Sequence, residues 1–388
     1  MVCECSIVQI VEHDKYKLVQ LDRNIFRPAM GGQDCDLGKI VKEDGSEIQI
    51  LGVLREDGDV FLKVNKDANI RVGEKIKAFV DTERRRLLSM LHTAQHIFYQ
   101  ALNRVTKGGV KFRNVFLTIK DGLPYGELGV LTEEDIKLSK IIDAEILTNN
   151  IILENRKDKE YILKKDQIPN DVRVRDSILD KLDTVRIIEV DGFDKSACSG
   201  THVNQTLEII SFKILKWKKK KNSYKFFFTV GKNALGEFSR LSNVLIEASS
   251  EFGFNPMDLL SYLKNSYTEI KRAKNFEKNL IDKTIRLIEY RIKIGDYPII
   301  EDLGELDVKY HYKIVKKLSR KHDLNNLLVL VSRVNGDIFL TVFGEKNKIQ
   351  SIKRNLNKIK FSGGDNIIQL TLRCEKSFKE FLTLLERC

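Results

Sequence analysis

A chain of 388 residues, 42% hydrophobic and 31% charged, has room for two to four domains with real apolar cores. No apolar run approaches a membrane span, and the start, MVCECSIVQIVEHDKY, lacks a basic leader and a cleavage site, so a cytoplasmic setting is expected and export is not. Six sparse cysteines exclude a disulfide framework, while a net charge of +12 favours a polyanionic partner, nucleic acid above all.

Residues 1–80 read as a small β-barrel-like domain, because KYKLVQLD, GSEIQILGVL, VFLKV and KIKAFVD alternate and are separated by Gly, Asp and Asn turns. Within it, FRPAMGGQDCDLG places a proline shortly before Gly31-Gly32-Gln33, which implies a shaped loop. Residues 81–230 mix helices and strands. A strong helix, DTERRRLLSMLHTAQHIFYQALNRV, has Asp81 or Thr82 as its cap and KGG as its stop, and a second helix is predicted from Thr132. The strands TVRIIEV, LEIISFKILKW and YKFFFTV follow, the last two forming a hairpin with KKKKNS at its tip. Residues 231–298 read as a two-helix arm and residues 299–388 as a small α/β domain, so the whole is a multidomain α+β chain.

The chemistry concentrates in two pairs. His92 and His96 stand four apart on the strong helix, opposite the stripe of Leu87, Leu91, Ala94 and Phe98, so both imidazoles share one side. Cys198 and His202 are also four apart, in CSGTH, where Gly200 lets the backbone turn both side chains one way. A thiolate and three imidazoles suit Zn2+ better than iron or nickel. Four protein ligands would close a tetrahedron, as in structural sites, yet pairs over 100 residues apart are unlike a local zinc knuckle. Thr93 stands where a metalloprotease helix carries its glutamate base, which disfavours peptidase chemistry.

HTAQH together with CSGTH resembles the editing domain of alanyl-tRNA synthetase and the free-standing AlaX trans-editing proteins, and more distantly the threonyl-tRNA synthetase editing domain. RIIEVDGFDKSACSGTHVNQTLEIISFKILK is similar to the end of that domain, FRPAMGGQDCDLG to the family's glycine-rich loop, TVGKNALGEF to its junction with a helical arm, and FSGGDNIIQL to its C-terminal motif. An aminoacylation domain has no room, so the resemblance is to a long AlaX protein. It implies ATP-independent hydrolysis of the aminoacyl ester on tRNA(Ala) wrongly charged with serine or glycine. It also implies one zinc per chain, held by His92, His96, Cys198 and His202.

The chain departs from the family pattern at Phe112, where a pocket glutamine is expected, and at Met30, in place of the loop's first glycine. Candidate catalytic or pocket residues are Gln33, Gly31, Gly32, Arg113, Thr118 and Thr201. Two alternatives stay open: a degenerate member that binds tRNA without hydrolysing it, and a release-factor-like hydrolase acting through the GGQ glutamine, Gln33. For tRNA contact the candidates are Arg84, Arg85, Lys216, Lys218, Lys219, Lys220 and Lys221, with Trp217 and Tyr224 near the lysines to stack on an unpaired base. The basic C-terminal third could hold tRNA, and homodimerisation through the helical arm or the C-terminal domain is equally open.

Overall fold

The computed structural model describes residues 1–174, 183–322, 326–356 and 359–386, in two compact units, Met1–Glu251 and Phe252–Cys388. The first begins with seven strands: β1 (Val2–Glu12), β2 (Tyr16–Leu21), β3 (Gly38–Lys42), β4 (Glu47–Ile50), β5 (Gly52–Glu56), β6 (Asp59–Asn65) and β7 (Lys75–Val80). They form a nearly closed antiparallel sheet in the order β4-β3-β7-β1-β2-β6-β5. Period-2 alternation drives this closure. In β7, Ile76, Ala78 and Val80 turn inward with Ile7, Val19, Ile40 and Leu62, while Lys75 and Lys77 face water.

Helix α1 (Thr82–Val105) follows, with the Asp81 carboxylate accepting the Arg84 amide at 2.9 Å as N-cap. Residues Leu88 to Leu102 of α1 are buried almost without interruption, so the side opposite the apolar stripe is not solvated. Strands β8 (Lys111–Lys120) and β9 (Leu123–Leu131), helix α2 (Leu138–Leu153), and strands β10 (Asp158–Lys164), β11 (Thr184–Val190), β12 (Asp194–Ala197), β13 (Phe212–Lys220) and β14 (Ser223–Val230) complete the body, with α3 (Gly231–Phe252) after it. One sheet runs β13-β14-β9-β8 and carries α1 and α2 on one face; a second runs β10-β11-β12. Helix α2 starts six residues after Thr132 rather than at it. The Thr132 amide extends the sheet by bonding Asn222 O at 2.9 Å, and its hydroxyl closes a turn on Glu134 O. Those groups are taken, so the helix waits until Leu138.

The second unit contains α4 (Leu259–Ile294), β15 (Ile299–Asp302), α5 (Lys309–Leu318), β16 (Leu328–Val334), β17 (Asp337–Phe343), α6 (Lys346–Asn355), β18 (Phe361–Ser362), β19 (Ile367–Leu372) and α7 (Glu375–Leu385). Its sheet runs β15-β16-β17-β19-β18. Alternation along β16 builds two cores: Leu328 and Leu330 pack toward α4 and α5, Val329 and Val331 toward α6 and α7. The predicted two-helix arm is thus shared out, α3 running almost wholly in the first unit and Ile281, Ile285 and Ile288 of α4 entering the second unit's core. Among the described residues no helix is long and apolar enough to cross a membrane.

Candidate metal centre

Strand alternation and helix spacing bring four donors to one point. His92 and His96 face inward from α1; Cys198 follows β12; His202 lies on the loop beyond. Their ligand atoms all lie within 4.8 Å of one another. Cys198 Sγ is 3.2 Å from His92 Nε2 and 3.3 Å from His202 Nε2. A tetrahedral zinc with bonds of about 2.0 Å to nitrogen and 2.3 Å to sulfur separates its ligands by roughly 3.3–3.6 Å, close to the spacings of Cys198 Sγ from His92 and from His202.

The other ring nitrogens fix the fit. His92 Nδ1 donates to Gln33 Oε1 at 2.8 Å. His96 Nδ1 donates to Asp194 Oδ2 at 3.0 Å, with Ser196 Oγ 2.8 Å from the same nitrogen. His202 Nδ1 donates to Thr93 Oγ1 at 3.0 Å, and that hydroxyl donates onward to Asp158 Oδ2 at 3.1 Å. All three tautomers are therefore set, leaving each Nε2 lone pair free for a metal. Asp194 is anchored in turn by Arg173, which reaches both its oxygens at 3.1 and 2.9 Å and lies over the Tyr99 ring.

Electrostatics follow the same plan. Burial opposes the Cys198 thiolate, yet His92 and His202 beside it hold the thiol well below its ordinary value. Burial also opposes a charged His96, but Asp194 and then Cys198 outweigh it and raise the ring to about 9, so an incoming ion must displace the Nε2 proton of this ring. His202, desolvated and next to two other imidazoles, is pushed down to about 3. Burial lifts Asp158 to about 7.

A cleft of about 900 Å³ opens onto His92, His96 and Cys198. Gly31 and Gly32 form one wall and residues 111–115 of β8 another, with Gln95, Tyr99, Arg173 and Arg186 around them. Gly32 (φ 81°) must be glycine: a Cβ would sit 2.4 Å from Val115 O, where the loop pairs with β8 through Gly32 O and Leu117 N. Met30 closes a tight turn with Gln33 and has no positive φ, so a side chain is tolerated in that place.

Several expected roles change. Gln33 is buried with both ends of its amide engaged: Oε1 accepts from His92 and from Thr201 N at 3.0 Å, and Nε2 donates to Thr201 Oγ1 at 2.8 Å. It holds His92 Nδ1 and Thr201 from inside the fold, a positioning role rather than that of an exposed release-factor-like glutamine. Ser89 Oγ gives its proton to Arg85 O at 2.8 Å, so at 2.7 Å it accepts from the Thr201 hydroxyl, which is consumed inside that network. Thr118 donates to Asp34 at 2.8 Å, away from the cleft. Arg113 alone of the polar candidates stands exposed at the cleft lining, on a β8 bulge.

Arg84 and Arg85 are not free for RNA. Arg84 donates to Asp34 at 2.6 Å and Cys35 O at 3.1 Å; Arg85 pairs with the buried Asp36 and donates to Ile25 O at 2.7 Å, tying α1 to the N-terminal barrel. The lysines divide by strand alternation. Lys216 and Lys218 face away from the helices, Lys219 pairs with Asp135, and Lys220 and Lys221 close the turn. Tyr224 is buried, its hydroxyl binding Asp135 and the Ile136 amide, so it cannot stack on a base.

Sequence reasoning missed Asp194, Ser196, Thr93, Asp158, Arg173 and Gln95. The signal for the first two was present: Asp194, Ser196 and Cys198 are spaced by two, one face of a strand. Gln95 lines the cleft beside His96, is 2% exposed, and has no partner for its Nε2 among the described residues. Phe112 occupies the cleft edge-on to Tyr99, rings 5.7 Å apart.

Residues 185–224, which carry Cys198 and His202, match the family described as the threonyl and alanyl tRNA synthetase second additional domain. An alanyl-tRNA editing protein AlaX-M from Methanosarcina barkeri is 30% identical over 234 residues, 58% of this chain and 93% of its own length. The chain belongs to the AlaX family of alanyl-tRNA editing proteins. The longer AlaX-L of Pyrococcus horikoshii is 26% identical over 83% of this chain and 78% of its own. Alanine–tRNA ligase from Methanococcus vannielii is 28% identical over 94% of this chain, which spans 40% of that enzyme. In AlaX terms, the match to AlaX-M covers 234 residues, and that to AlaX-L runs on over 335.

Proposed function

We propose that the chain is a zinc-dependent trans-editing hydrolase that removes serine, and also glycine, from mischarged tRNA(Ala) without ATP. One observation carries the reading: three imidazoles, each with Nδ1 already committed, aim Nε2 with a depressed-pKa thiolate at one point in a cleft. His92, His96, Cys198 and His202 would hold the ion, which when bound supplies Lewis-acid polarisation of a carbonyl or of water. The remaining work belongs to the chain. An aminoacyl ester is activated, so positioning and modest electrostatic help suffice. Gln95, buried beside His96, shapes the floor of the cleft, and Gly31 and Gly32 let the backbone approach the bound aminoacyl group closely. Exposed Arg113 and Lys111 at β8 meet the phosphates of the acceptor end, with Lys216 and Lys218 farther out.

Incubation of the purified protein with seryl- and alanyl-tRNA(Ala) tests this. Preferential hydrolysis of the seryl ester, abolished in Cys198→Ala together with zinc binding, is the expected result. Equal or absent hydrolysis sinks the specificity. Tight tRNA binding without hydrolysis establishes instead a degenerate member in which Phe112 fills space a substrate would need.

A further inference from the structure

The sheet β13-β14-β9-β8 buries Leu117, Leu128, Val130, Phe226 and Phe228 against its helices, and on its second face Phe116, Lys216, Lys218 and Lys225 are exposed around the buried Phe227 and Gly129. Register defines that face in rows. Asn114, Gly129, Lys225 and Lys218 stand opposite one another across the four strands; the next row is Phe116, Glu127, Phe227 and Lys216; Thr118 and Tyr125 begin the third. The Lys216, Lys218 and Lys225 ammonium groups lie 5.1, 5.8 and 5.9 Å from the Phe227 ring centre, and Tyr125 lies 6.1 Å from it. Lys225 is paired with Glu127, whereas Lys216 and Lys218 have no carboxylate partner among the described residues. Phe116 is 50% exposed. Asn114 belongs both to this face and to the cleft lining, so the two surfaces are continuous along β8.

We propose that this sheet face binds the unpaired nucleotides adjacent to the esterified ribose, with Phe116 as a stacking platform and Lys216 and Lys218 as phosphate contacts. The inference rests on the deacylase reading for the identity of the RNA. Single-stranded nucleic acid is held by aromatic side chains that meet exposed base faces and by cations that follow the backbone. In a duplex the base faces are already stacked, so Phe116 would have nothing to meet. Cations resting on Phe227 are charge-complementary to phosphates and lie on flexible stems that can swing outward.

The test is fluorescence anisotropy of the full chain with a labelled, uncharged single-stranded RNA of about 12 nucleotides ending in CCA, and with a blunt RNA hairpin. Phe116→Ala should weaken the single strand by about 10-fold or more, leave the hairpin unchanged and preserve the salt dependence. The double variant K216A/K218A should reduce the slope of log K against log salt by about 1.4, at roughly 0.7 per lysine. The control K15A/K66A, two exposed lysines on the N-terminal barrel, should leave both unchanged. Unaltered single-strand binding by Phe116→Ala, equal losses on the hairpin, or an equal slope change in the control overturns the assignment. Because no ester is cleaved here, an inactive protein that shows these shifts contradicts the deacylase reading alone.

Discussion

Gly200→Ala probes the metal centre with a single methyl group. An added Cβ would lie 2.1 Å from His92 Cε1 and Nδ1 and 2.8 Å from Gln33 Oε1. Carbon atoms in contact sit near 3.5–4.0 Å, so the ring must retreat by roughly 1.5 Å. That movement breaks the 2.8 Å bond from Nδ1 to Gln33 and carries Nε2 off its position beside Cys198. Loss of an outer partner of a metal-bound histidine typically lowers affinity by about 10–100-fold, and displacement of the ligand itself adds to this. We expect zinc affinity to fall by at least about 100-fold and the cobalt-substituted protein to lose intensity in its thiolate charge-transfer band. Competition with a fluorescent chelator measures the first and absorption spectroscopy the second. Unchanged affinity and spectrum in a folded Gly200→Ala protein would refute the packing argument.

Arg85→Ala removes the ion-pair partner of Asp36, which is 1% exposed and keeps only the Arg27 amide at 2.6 Å, and should lower the stability of the first unit by about 3 kcal/mol in urea titrations. Replacing both partners with apolar residues should cost much less. Gln33→Ala removes the acceptor of the His92 Nδ1 proton and should weaken zinc by about 10–100-fold, while added zinc restores turnover, which loss of a catalyst would not allow. In the second unit, burial holds His311 down to about 4 from an ordinary 6.5, with its nitrogens bonded to Thr341 and Ser332 hydroxyls at 2.9 and 2.7 Å. The unfolded chain therefore takes up a proton first. The contribution is fully present above pH 6.5 and is lost as pH falls from 6.5 toward about 4, by roughly 3 kcal/mol. Denaturant titrations across that window should show the loss, and His311→Gln should flatten it.

Much of the four-donor cluster was legible because its members obey local periodicity: i, i+4 on α1 for His92 and His96, and the Gly200 turn for Cys198 and His202. The supporting residues were less so. Thr93 read as a missing glutamate, although its hydroxyl links His202 to Asp158, a residue 65 positions away. Arg84 and Arg85 read as RNA contacts because their partners, Asp34 and Asp36, lie across a long loop that composition does not link to α1. Alternation within β13 separates Lys216 and Lys218 from Lys219, yet a run of like residues hides it. Helix α2 began late because Thr132 and Asn222 meet only in the tertiary fold. In each case propensity was visible and the competing long-range partner was not.

The most direct test of the account is hydrolysis of seryl-tRNA(Ala) by protein stripped of metal and then reloaded. Activity that disappears with the metal, returns on stoichiometric zinc and stays absent in Cys198→Ala is the predicted outcome. Hydrolysis that persists in the stripped protein, or in Cys198→Ala, would contradict the claim that these four side chains form the catalytic centre.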